Sequence, residues 1–321
     1  MMPDQPSRTA QHPTLANWLS IMILGLIWGG TFMVVRIALD GYGPITVACA
    51  RTSLGAIALL ALMWAMRRPL PDFSARMMKY LIVIGLLNTA VPFALLSWGQ
   101  QYVPSAFAGI SMAALPLFVL PLAHVFTDEK LNLRNAVGVT LGFVGAIVLI
   151  GPGVLRIGTG MEPLGQIACL AAALSYAVSS IMTRRCPPID PITMAALLLA
   201  VGAAALIPAM LLTEGLPEIA DRRSTLAILF LGFIPTALAA ALRVITIRSA
   251  GAVFMTLVNY QVPLWSVVFG VVILHEVLPL RFFAALALIL LGVGISQWGG
   301  LRRLLGQLIP SASSTVTDTG K

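Results

Sequence analysis

Long apolar segments follow one another along almost the whole chain, separated by short polar connections. Each segment is continuous in hydrophobicity and close to the roughly 20 residues that a helix needs to cross a bilayer. Strands of a transmembrane barrel would instead alternate in hydrophobicity over about ten residues. The pattern therefore predicts an all-α membrane protein with ten transmembrane helices, at residues 17–39, 44–66, 78–99, 103–125, 132–150, 163–183, 191–213, 225–246, 251–273 and 281–300.

The chain also repeats itself at a fixed spacing of 147 residues. This spacing relates Pro44 to Pro191, Gly85 to Gly232, Thr89 to Thr236, Pro116 to Pro263, Glu129 to Glu276 and Gly145 to Gly292. Each copy holds five predicted helices, and because five is odd the second copy enters the bilayer upside down relative to the first. We predict two inverted five-helix repeats, at 17–150 and 163–300, with tails at 1–16 and 301–321. Inverted repeats are typical of secondary transporters.

Composition supports a membrane location. Of 321 residues, 59% are hydrophobic and 10% are charged, whereas about 25% of the residues in soluble domains are charged. The first apolar segment is longer than the 7–15-residue core of a secretory signal, so we expect it to remain as helix 1. The three cysteines, Cys49, Cys169 and Cys186, form no CxxC pair and indicate no disulfide framework.

The net charge of +8 is explained by topology, so we predict no nucleic-acid partner. With a cytoplasmic N-terminus, fourteen Lys and Arg residues lie on the cytoplasmic side and four on the other side. This asymmetry predicts an inner-membrane protein with both termini in the cytoplasm. The fourteen are Arg8, Arg67, Arg68, Arg76, Lys79, Lys130, Arg134, Arg184, Arg185, Arg243, Arg248, Arg302, Arg303 and Lys321; the four are Arg156, Arg222, Arg223 and Arg281.

The run Gly25-Leu26-Ile27-Trp28-Gly29-Gly30-Thr31-Phe32 resembles the start of the EamA family, in the drug/metabolite transporter superfamily. The resemblance continues over about residues 17–300, through Pro44, Arg51, Pro116, Glu129, Gly138, Gly142 and Gly145, and then Ser175-Tyr176, Pro191, Pro263, Glu276 and Gly292. It implies a ten-helix carrier that exports amino acids or related small metabolites by alternating access. Trp28-Gly29 has no counterpart at Ser175-Tyr176, so we expect the two halves to be functionally unequal.

Arg51 lies inside predicted helix 2, about eight residues from its outer end. An Arg at a helix centre costs roughly 2.5–3.5 kcal/mol on insertion scales, and such a cost is usually offset by water, a partner or a ligand. Arg51 is suited to bind a substrate carboxylate through its planar fork; the alternative is that it only holds backbone carbonyls of neighbouring helices. Arg36 lies one turn from the end of helix 1 and is expected to reach the surface.

Acidic residues are absent from the middle of every predicted helix, since all twelve Asp and Glu lie in tails, loops or helix ends. A pump for lipophilic cations would usually need a buried carboxylate. Glu129 and Glu276 precede helices 5 and 10, where a carboxylate favours the positive end of the helix dipole. His124 and His275 are either proton-coupling groups or satisfied histidines at the membrane interface.

Polar and aromatic side chains at mid-depth are candidates to line a mostly apolar substrate cavity. Each of them is alternatively an interhelical hydrogen-bonding group. Pro92, Pro116, Pro235 and Pro263 interrupt helices 3, 4, 8 and 9, which either frees carbonyls for substrate or simply kinks the helices. The predicted substrate-binding residues are Arg51, Trp28, Thr31, Asn88, Trp98, Ser111, Tyr176, Asn259 and Tyr260.

Motifs for a phosphate loop, a HExxH metal site, a GxSxG nucleophile or a CxxC pair do not occur, so we predict no enzyme, metal or cofactor. The favoured interpretation is a secondary transporter that exports amino acids or related small metabolites across the inner membrane. Its partners are then a small-molecule substrate and the lipid bilayer. The alternative is a multidrug efflux carrier for hydrophobic or cationic compounds; Arg51 and the lack of a buried acid argue against it. A membrane scaffold or intramembrane enzyme is disfavoured by the inverted repeat.

Overall fold

The computed structural model describes residues 14–126, 132–151, 160–299 and 302. All regular secondary structure within these ranges is helical. We number the helices α1 to α8 as Leu15–Ala38, Pro44–Ala65, Ala75–Gly99, Ser105–Phe126, Leu133–Ile150, Glu162–Arg185, Pro191–Thr213 and Arg222–Ala250; α9 consists of Ala252–Met255 and Val258–Val272, and α10 is Leu280–Ser296.

Helices α1 to α8 are each long and apolar enough to cross a membrane, as judged over the described residues. The apolar helices Val258–Val272 and Leu280–Ser296 are shorter than the predicted helices at 251–273 and 281–300. A turn at Thr256 and Leu257 divides α9, and α10 ends one residue before its cap at Gln297. The chain is therefore an all-α, multi-pass membrane protein.

Helix starts carry residues that satisfy free backbone N–H groups. Ser74 accepts from the Met77 N–H before α3, and Asn132 accepts from the Asn135 N–H before α5. Asp221 accepts from the N–H groups of Arg223 (2.8 Å) and Ser224 (3.2 Å) before α8. Hydrogen bonds from Ser224 lower the pKa of the Asp221 carboxyl below its ordinary value, because they stabilise the carboxylate.

The N-terminus of α2 is capped by the residue that follows α7. Glu214, directly after α7, accepts from the N–H groups of Ile45 and Thr46, each at 2.8 Å. A Cβ atom built on Gly43 would collide with the Glu214 carboxylate, so this carboxylate occupies the space of a side chain at position 43. The acidic end of the molecule is defined here as the end where Glu214, Glu162 and Glu276 lie.

The opposite end, which we call the basic end, has its own carboxylate contacts at α7. Asp190 accepts from the N–H groups of Ile192 (3.0 Å) and Thr193 (3.2 Å) at the start of α7. It also pairs with Arg68 after α2 (3.6 Å) and with Arg248 of α8 (3.2 Å). Helices α2 and α7 are therefore joined by carboxylates at both ends.

Close packing between helices recurs at the 147-residue spacing. A Cβ atom on Gly55 would overlap Thr236, and a Cβ atom on Gly202 would overlap Thr89. These are corresponding contacts, because Gly55 corresponds to Gly202 and Thr89 to Thr236. Small residues allow the backbones to approach, which helices in lipid require for tight association.

Helices α5 and α10 form a second tightly packed pair. A Cβ atom on Gly138 would lie 2.5 Å from the Gly292 carbonyl oxygen, and one on Gly292 would lie 2.5 Å from the Gly138 carbonyl oxygen. Any side chain at either position would push the two helices apart. The α2–α7 and α5–α10 pairs thus each join one half of the chain to the other half.

Two helices change to π-helical geometry in their middle. The π segments are Leu86–Ala90 in α3 and Gly232–Leu238 in α8. The 147-residue spacing carries 86–90 onto 233–237, inside the second segment. Pro92 and Pro235 lie beside or within these segments and lack the N–H that a regular ladder needs. Short π segments inside α-helices are frequent at functional sites.

Candidate functional site

The site is built around the π segment of α8, because two predicted residues reach it from different helices. Arg51 of α2 is only 5% exposed. Its Nη2 atom lies 3.5 Å from the Thr236 hydroxyl, and its guanidinium carbon lies 3.9 Å from the ring centroid of Phe93 in α3. The aromatic face provides a favourable contact for the cation, and Nη2 has the Thr236 hydroxyl as its acceptor.

Among the residues that the structure describes, no carboxylate lies at the depth of Arg51. Every Asp and Glu in the described ranges lies at or beyond a helix end. Among those residues none accepts a hydrogen bond from Nε of Arg51. Tyr176 of α6 lies within electrostatic range of the guanidinium. A buried cation with an unused Nε–H donor, and with no counter-charge at its depth among the described residues, is suited to bind an anionic group.

Trp28 of α1 reaches the same π segment. Its indole Nε1–H donates to the Pro235 carbonyl at 3.1 Å. In the other half, the hydroxyl of Ser175 of α6, which corresponds to Trp28, donates to the Leu87 carbonyl at 2.8 Å, one residue before the position that corresponds to Pro235. Pro92, five residues after Leu87, has no N–H to offer that carbonyl. Ser175 therefore satisfies a backbone oxygen that the α3 segment leaves open, and Trp28 bonds a carbonyl of the α8 segment.

Asn88 brings the second π segment to the site. It lies within Leu86–Ala90, and its Oδ1 atom is 3.3 Å from the Ser179 hydroxyl of α6. Ser175 and Ser179 lie one turn apart on α6, so this face of α6 bonds the α3 π segment twice. The structure thus gathers four of the predicted residues, Arg51, Trp28, Tyr176 and Asn88, around the two π segments.

Three other predicted residues have local roles. The buried Thr31 hydroxyl donates to the Ile27 carbonyl of its own helix at 2.9 Å. The Ser111 hydroxyl, also buried, donates to the Phe107 carbonyl at 2.9 Å. Trp98 lies nearer the acidic end, where its ring meets that of Tyr102 edge-on at 5.1 Å. These contacts do not bring the three residues to the Arg51 site.

Asn259 and Tyr260 lie on α9, in the half nearer the basic end. The Asn259 side chain is exposed. The Tyr260 hydroxyl is buried, and no described residue bonds to it. Four residues further on, Pro263 has no N–H for the Asn259 carbonyl. Neither side chain is hydrogen-bonded to a described residue of the Arg51 site.

Sequence reasoning missed several functional-site groups. Phe93 carries no signal beyond its place after Pro92, and Thr236 was recognised only as a marker of the repeat. The Pro235 carbonyl was anticipated in general, since prolines were expected to interrupt α8. Within the described part of the chain, no three His, Cys, Asp or Glu side chains are grouped to hold a metal ion.

Two charged residues have partners that the sequence did not indicate. Arg36 does not simply extend to the surface, because its Nη1 atom donates to the Gln100 carbonyl at the end of α3 (3.1 Å). Glu276 precedes α10 in sequence, but its carboxylate accepts from the N–H groups of Ser105 and Ala106 at the start of α4. Chain folding places the start of α4 within reach of Glu276, so the predicted assignment of Glu276 to α10 is wrong. Glu129 lies outside the described residues.

Comparisons with known proteins find transporters that resemble this chain over most of its length. The EamA-like transporter family profile matches residues 17–151 and again 163–297. The uncharacterized transporter YoaV of Bacillus subtilis is 24% identical over 287 residues, covering 89% of this chain and 98% of YoaV. The uncharacterized inner membrane transporter YedA of Escherichia coli K12 is 28% identical over 282 residues, covering 87% of this chain and 90% of YedA.

A probable terminal-alkyne amino-acid exporter of Streptantibioticus cattleyicolor is 26% identical over 172 residues, which is 53% of this chain and 56% of that protein. A protein of known crystal structure shares the fold, with a TM-score of 0.64 at 20% identity, over 92% of this chain and 100% of its own. Because the family profile covers nearly all of the described helices, the chain belongs to the EamA-like transporter family.

Proposed function

We propose that this protein is a secondary transporter that exports amino acids or related small carboxylates across the inner membrane. The observation that carries the proposal is the buried, uncompensated charge of Arg51 in a member of a transporter family. A solute carboxylate would supply the missing counter-charge and accept from the unused Nε–H donor. The similarity to a probable amino-acid exporter supports the same substrate class.

The architecture in this proposal is ten transmembrane helices in two inverted five-helix repeats, 17–150 and 163–300. Supporting observations are the two family matches, the π segments at corresponding positions, and the reciprocal contacts of Gly55 and Gly202. The excess of Lys and Arg supports a cytoplasmic location of the basic end, and with it of both termini. A reporter fused at Gly215, near the acidic end, is then expected to be active only outside the cytoplasm.

Substrate recognition follows from the chemistry of the gathered groups. Phe93 holds the plane of the Arg51 guanidinium, which leaves its edge for a carboxylate. The polar remainder of a small solute would meet Asn88 and Tyr176. Trp28 and the surrounding apolar helices would contact its side chain, as is usual in mostly apolar pockets with a few placed polar groups.

The test is solute counterflow into vesicles containing the purified protein. The probes are radiolabelled neutral amino acids, each compared with its C-terminal amide, which lacks the carboxylate. We expect at least one amino acid to be transported. Its amide should be transported at least about tenfold more slowly, since losing one charge-assisted hydrogen bond costs about 1.5–3 kcal/mol. Arg51→Lys keeps the charge but loses the fork, so it should also reduce transport about tenfold.

The matched control is Arg76→Lys, because Arg76 is exposed on α3 and should not affect transport. Equal transport of acids and amides, or an Arg51→Lys variant as active as the control, would contradict carboxylate recognition. Transport of cationic dyes instead of amino acids would favour a multidrug carrier.

A further inference from the structure

The two ends of the molecule differ in how closely α4 and α9 meet. At the acidic end, Ser105–Ala113 of α4 packs along Val258–Val272 of α9. The contact is tight enough that a Cβ atom on Gly109 would overlap the Ser266 side chain. Every residue from 105 to 111 is buried. This junction leaves no passage between the two helices at the acidic end.

Glu276 joins the same two helices through its carboxylate. It lies just after α9, where its own N–H donates to the Gly270 carbonyl at 3.0 Å. Its carboxylate oxygens accept from the N–H groups of Ser105 (2.6 Å) and Ala106 (3.2 Å). Because these N–H groups are the free donors of the first turn of α4, Glu276 acts as the cap of a helix from the other half of the chain.

Part of the corresponding segment toward the basic end is more open. The 147-residue spacing carries 109 and 110 onto 256 and 257, and 113 and 114 onto 260 and 261. The first set is buried, whereas Thr256, Leu257, Tyr260 and Gln261 are partly exposed, although Phe254, Met255 and Val258 beside them are buried. Among the described residues, Ala252–Met255 does not pack along Leu115–Phe126 as the α4–α9 junction does at the acidic end.

Corresponding contacts indicate which parts move. In alternating access between inverted repeats, each repeat adopts the conformation that the other repeat had before. A contact that has a counterpart in the other repeat then persists, whereas a contact that is formed at one end only must break. The α2–α7 pair has carboxylate contacts at both ends, through Glu214 and Asp190. The Gly138–Gly292 contact is made by residues of both halves. The Glu276 carboxylate spans the α4–α9 junction at the acidic end, so its hydrogen bonds must break if that junction opens; the corresponding Glu129 lies outside the described residues.

We propose that the structure is the state closed at the acidic end, and that Glu276 is the latch that keeps this end closed. The inference rests on the proposed transport function. Opening the acidic end requires both Glu276 hydrogen bonds to break and the Gly109–Ser266 contact to separate. Arg36, which bonds the Gln100 carbonyl at the same end, strengthens the closed state by joining α1 to α3.

One experiment locks the junction. A Cβ atom on Gly270 would lie 3.2 Å from the Ser105 Oγ atom, which is within reach of a disulfide. It would also lie 2.5 Å from Oε2 of Glu276, so the cysteine displaces this carboxylate and the disulfide takes its place in joining the two helices. We expect the Ser105→Cys/Gly270→Cys protein to cross-link on oxidation, lose counterflow, and recover it on reduction; each single variant should be insensitive to the oxidant. Failure to cross-link, or full transport by the cross-linked protein, would overturn the proposal.

A second experiment separates a latch from an ordinary helix cap. Ser97 of α3 is buried near the acidic end, so Ser97→Cys should react slowly with a membrane-impermeant maleimide added to whole cells. Adding Glu276→Ala should raise the labelling rate about fivefold, the population shift expected when one helix cap is lost. Labelling of the unmodified chain, which holds Cys49, Cys169 and Cys186, gives the background.

The matched control is Glu214→Ala in the same Ser97→Cys protein. Glu214 also caps a helix at the acidic end with two backbone hydrogen bonds, but it belongs to the α2–α7 pair. We expect no change in labelling with Glu214→Ala. Equal acceleration by both substitutions, or none by Glu276→Ala, would show that Glu276 is only a cap. Because labelling needs no substrate, this result is independent of carboxylate recognition by Arg51.

Discussion

The two π segments have the same packing but different electrostatics. The segment in α8 receives the Trp28 indole at Pro235 and the Arg51 guanidinium at Thr236. The segment in α3 receives two neutral hydroxyls of α6, that of Ser175 at Leu87 and that of Ser179 at Asn88. The residue that corresponds to Arg51 in the second half is Leu198 of α7. It is 6% exposed, and its carbonyl accepts from the Thr89 hydroxyl at 3.4 Å. The scaffold is thus duplicated, while the charge is not.

This difference separates architecture from chemistry. Residues that hold the helices together, such as Gly55 and Gly202, occur in both halves. The group that we propose to bind substrate occurs in one half only. A single charge suits a solute with one carboxylate, because a second buried arginine would add a further desolvation cost with no partner to offset it.

The largest effect is expected when the second half of the chain is given the buried charge that the first half has. Leu198→Arg places an unpaired cation in a buried position, which should cost about 3–5 kcal/mol. We expect little folded protein and a much lower melting temperature by fluorescence-detected size-exclusion chromatography. Leu198→Met, which conserves volume, is the control. An arginine variant as stable as the methionine variant would show that both halves accept a charge.

Removing the charge from the first half should have the opposite effect on stability. Arg51→Met relieves the burial of a cation without a counter-charge, so the substrate-free protein should gain about 1–3 kcal/mol of unfolding free energy while transport is lost. The measurement is the melting temperature in detergent. Arg36→Met, the control, loses a hydrogen bond to the Gln100 carbonyl and should be destabilised. Destabilisation of both variants would indicate that Arg51 is an anchor.

A smaller effect is expected from removing the side-chain hydrogen bonds that both π segments receive. Trp28→Phe and Ser175→Ala each remove the side-chain donor to a π-segment carbonyl, and each should cost about 1–2 kcal/mol. Ser111→Ala is the matched control, because the Ser111 hydroxyl only bonds within its own helix. Thermal unfolding should show similar losses for the first two variants and a smaller loss for the third. Unequal losses at Trp28 and Ser175 would argue that the two segments are not equivalent.

The smallest expected effect concerns the caps of α2 and α7. Glu214→Ala leaves the N–H groups of Ile45 and Thr46 free and should cost about 1 kcal/mol. Adding Gly43→Asp should recover the lost stability. Position 43 corresponds to Asp190, which caps α7 with its own side chain. Melting temperatures of the two variants decide the point. No recovery in the double variant would show that Glu214 does more than cap α2.

Helix positions could be predicted from the sequence where turn residues mark their ends. The predicted helix at 191–213 agrees with Pro191–Thr213, since Pro191 starts it and Gly215, at positive φ, follows it. The turn at Thr256 and Leu257 could not be predicted, because both residues continue an apolar run. The π segments were also missed; prolines indicated interruptions, but the change of hydrogen-bond register depends on neighbouring helices.

Depth along a helix was sufficient to single out Arg51, whereas its surroundings were not predictable. Its Thr236 contact spans 185 residues of sequence. Glu276 shows the same limit, because it lies next to α10 in sequence and yet caps α4, 171 residues away from Ser105. Local patterns identify a costly or capping side chain, but tertiary packing selects its partner.

The carboxylate that caps α2 also has a consequence for the order of biosynthesis. Asp190 is synthesised with the helix that it caps, whereas Glu214 follows Ile45 by 169 residues. At about 5–20 residues per second, the ribosome completes Glu214 roughly 10–30 seconds after α2 has been made. During that interval Glu214 is not yet present to accept from the N–H groups of Ile45 and Thr46. The first half of the nascent protein therefore acquires its finished form only when the second half arrives.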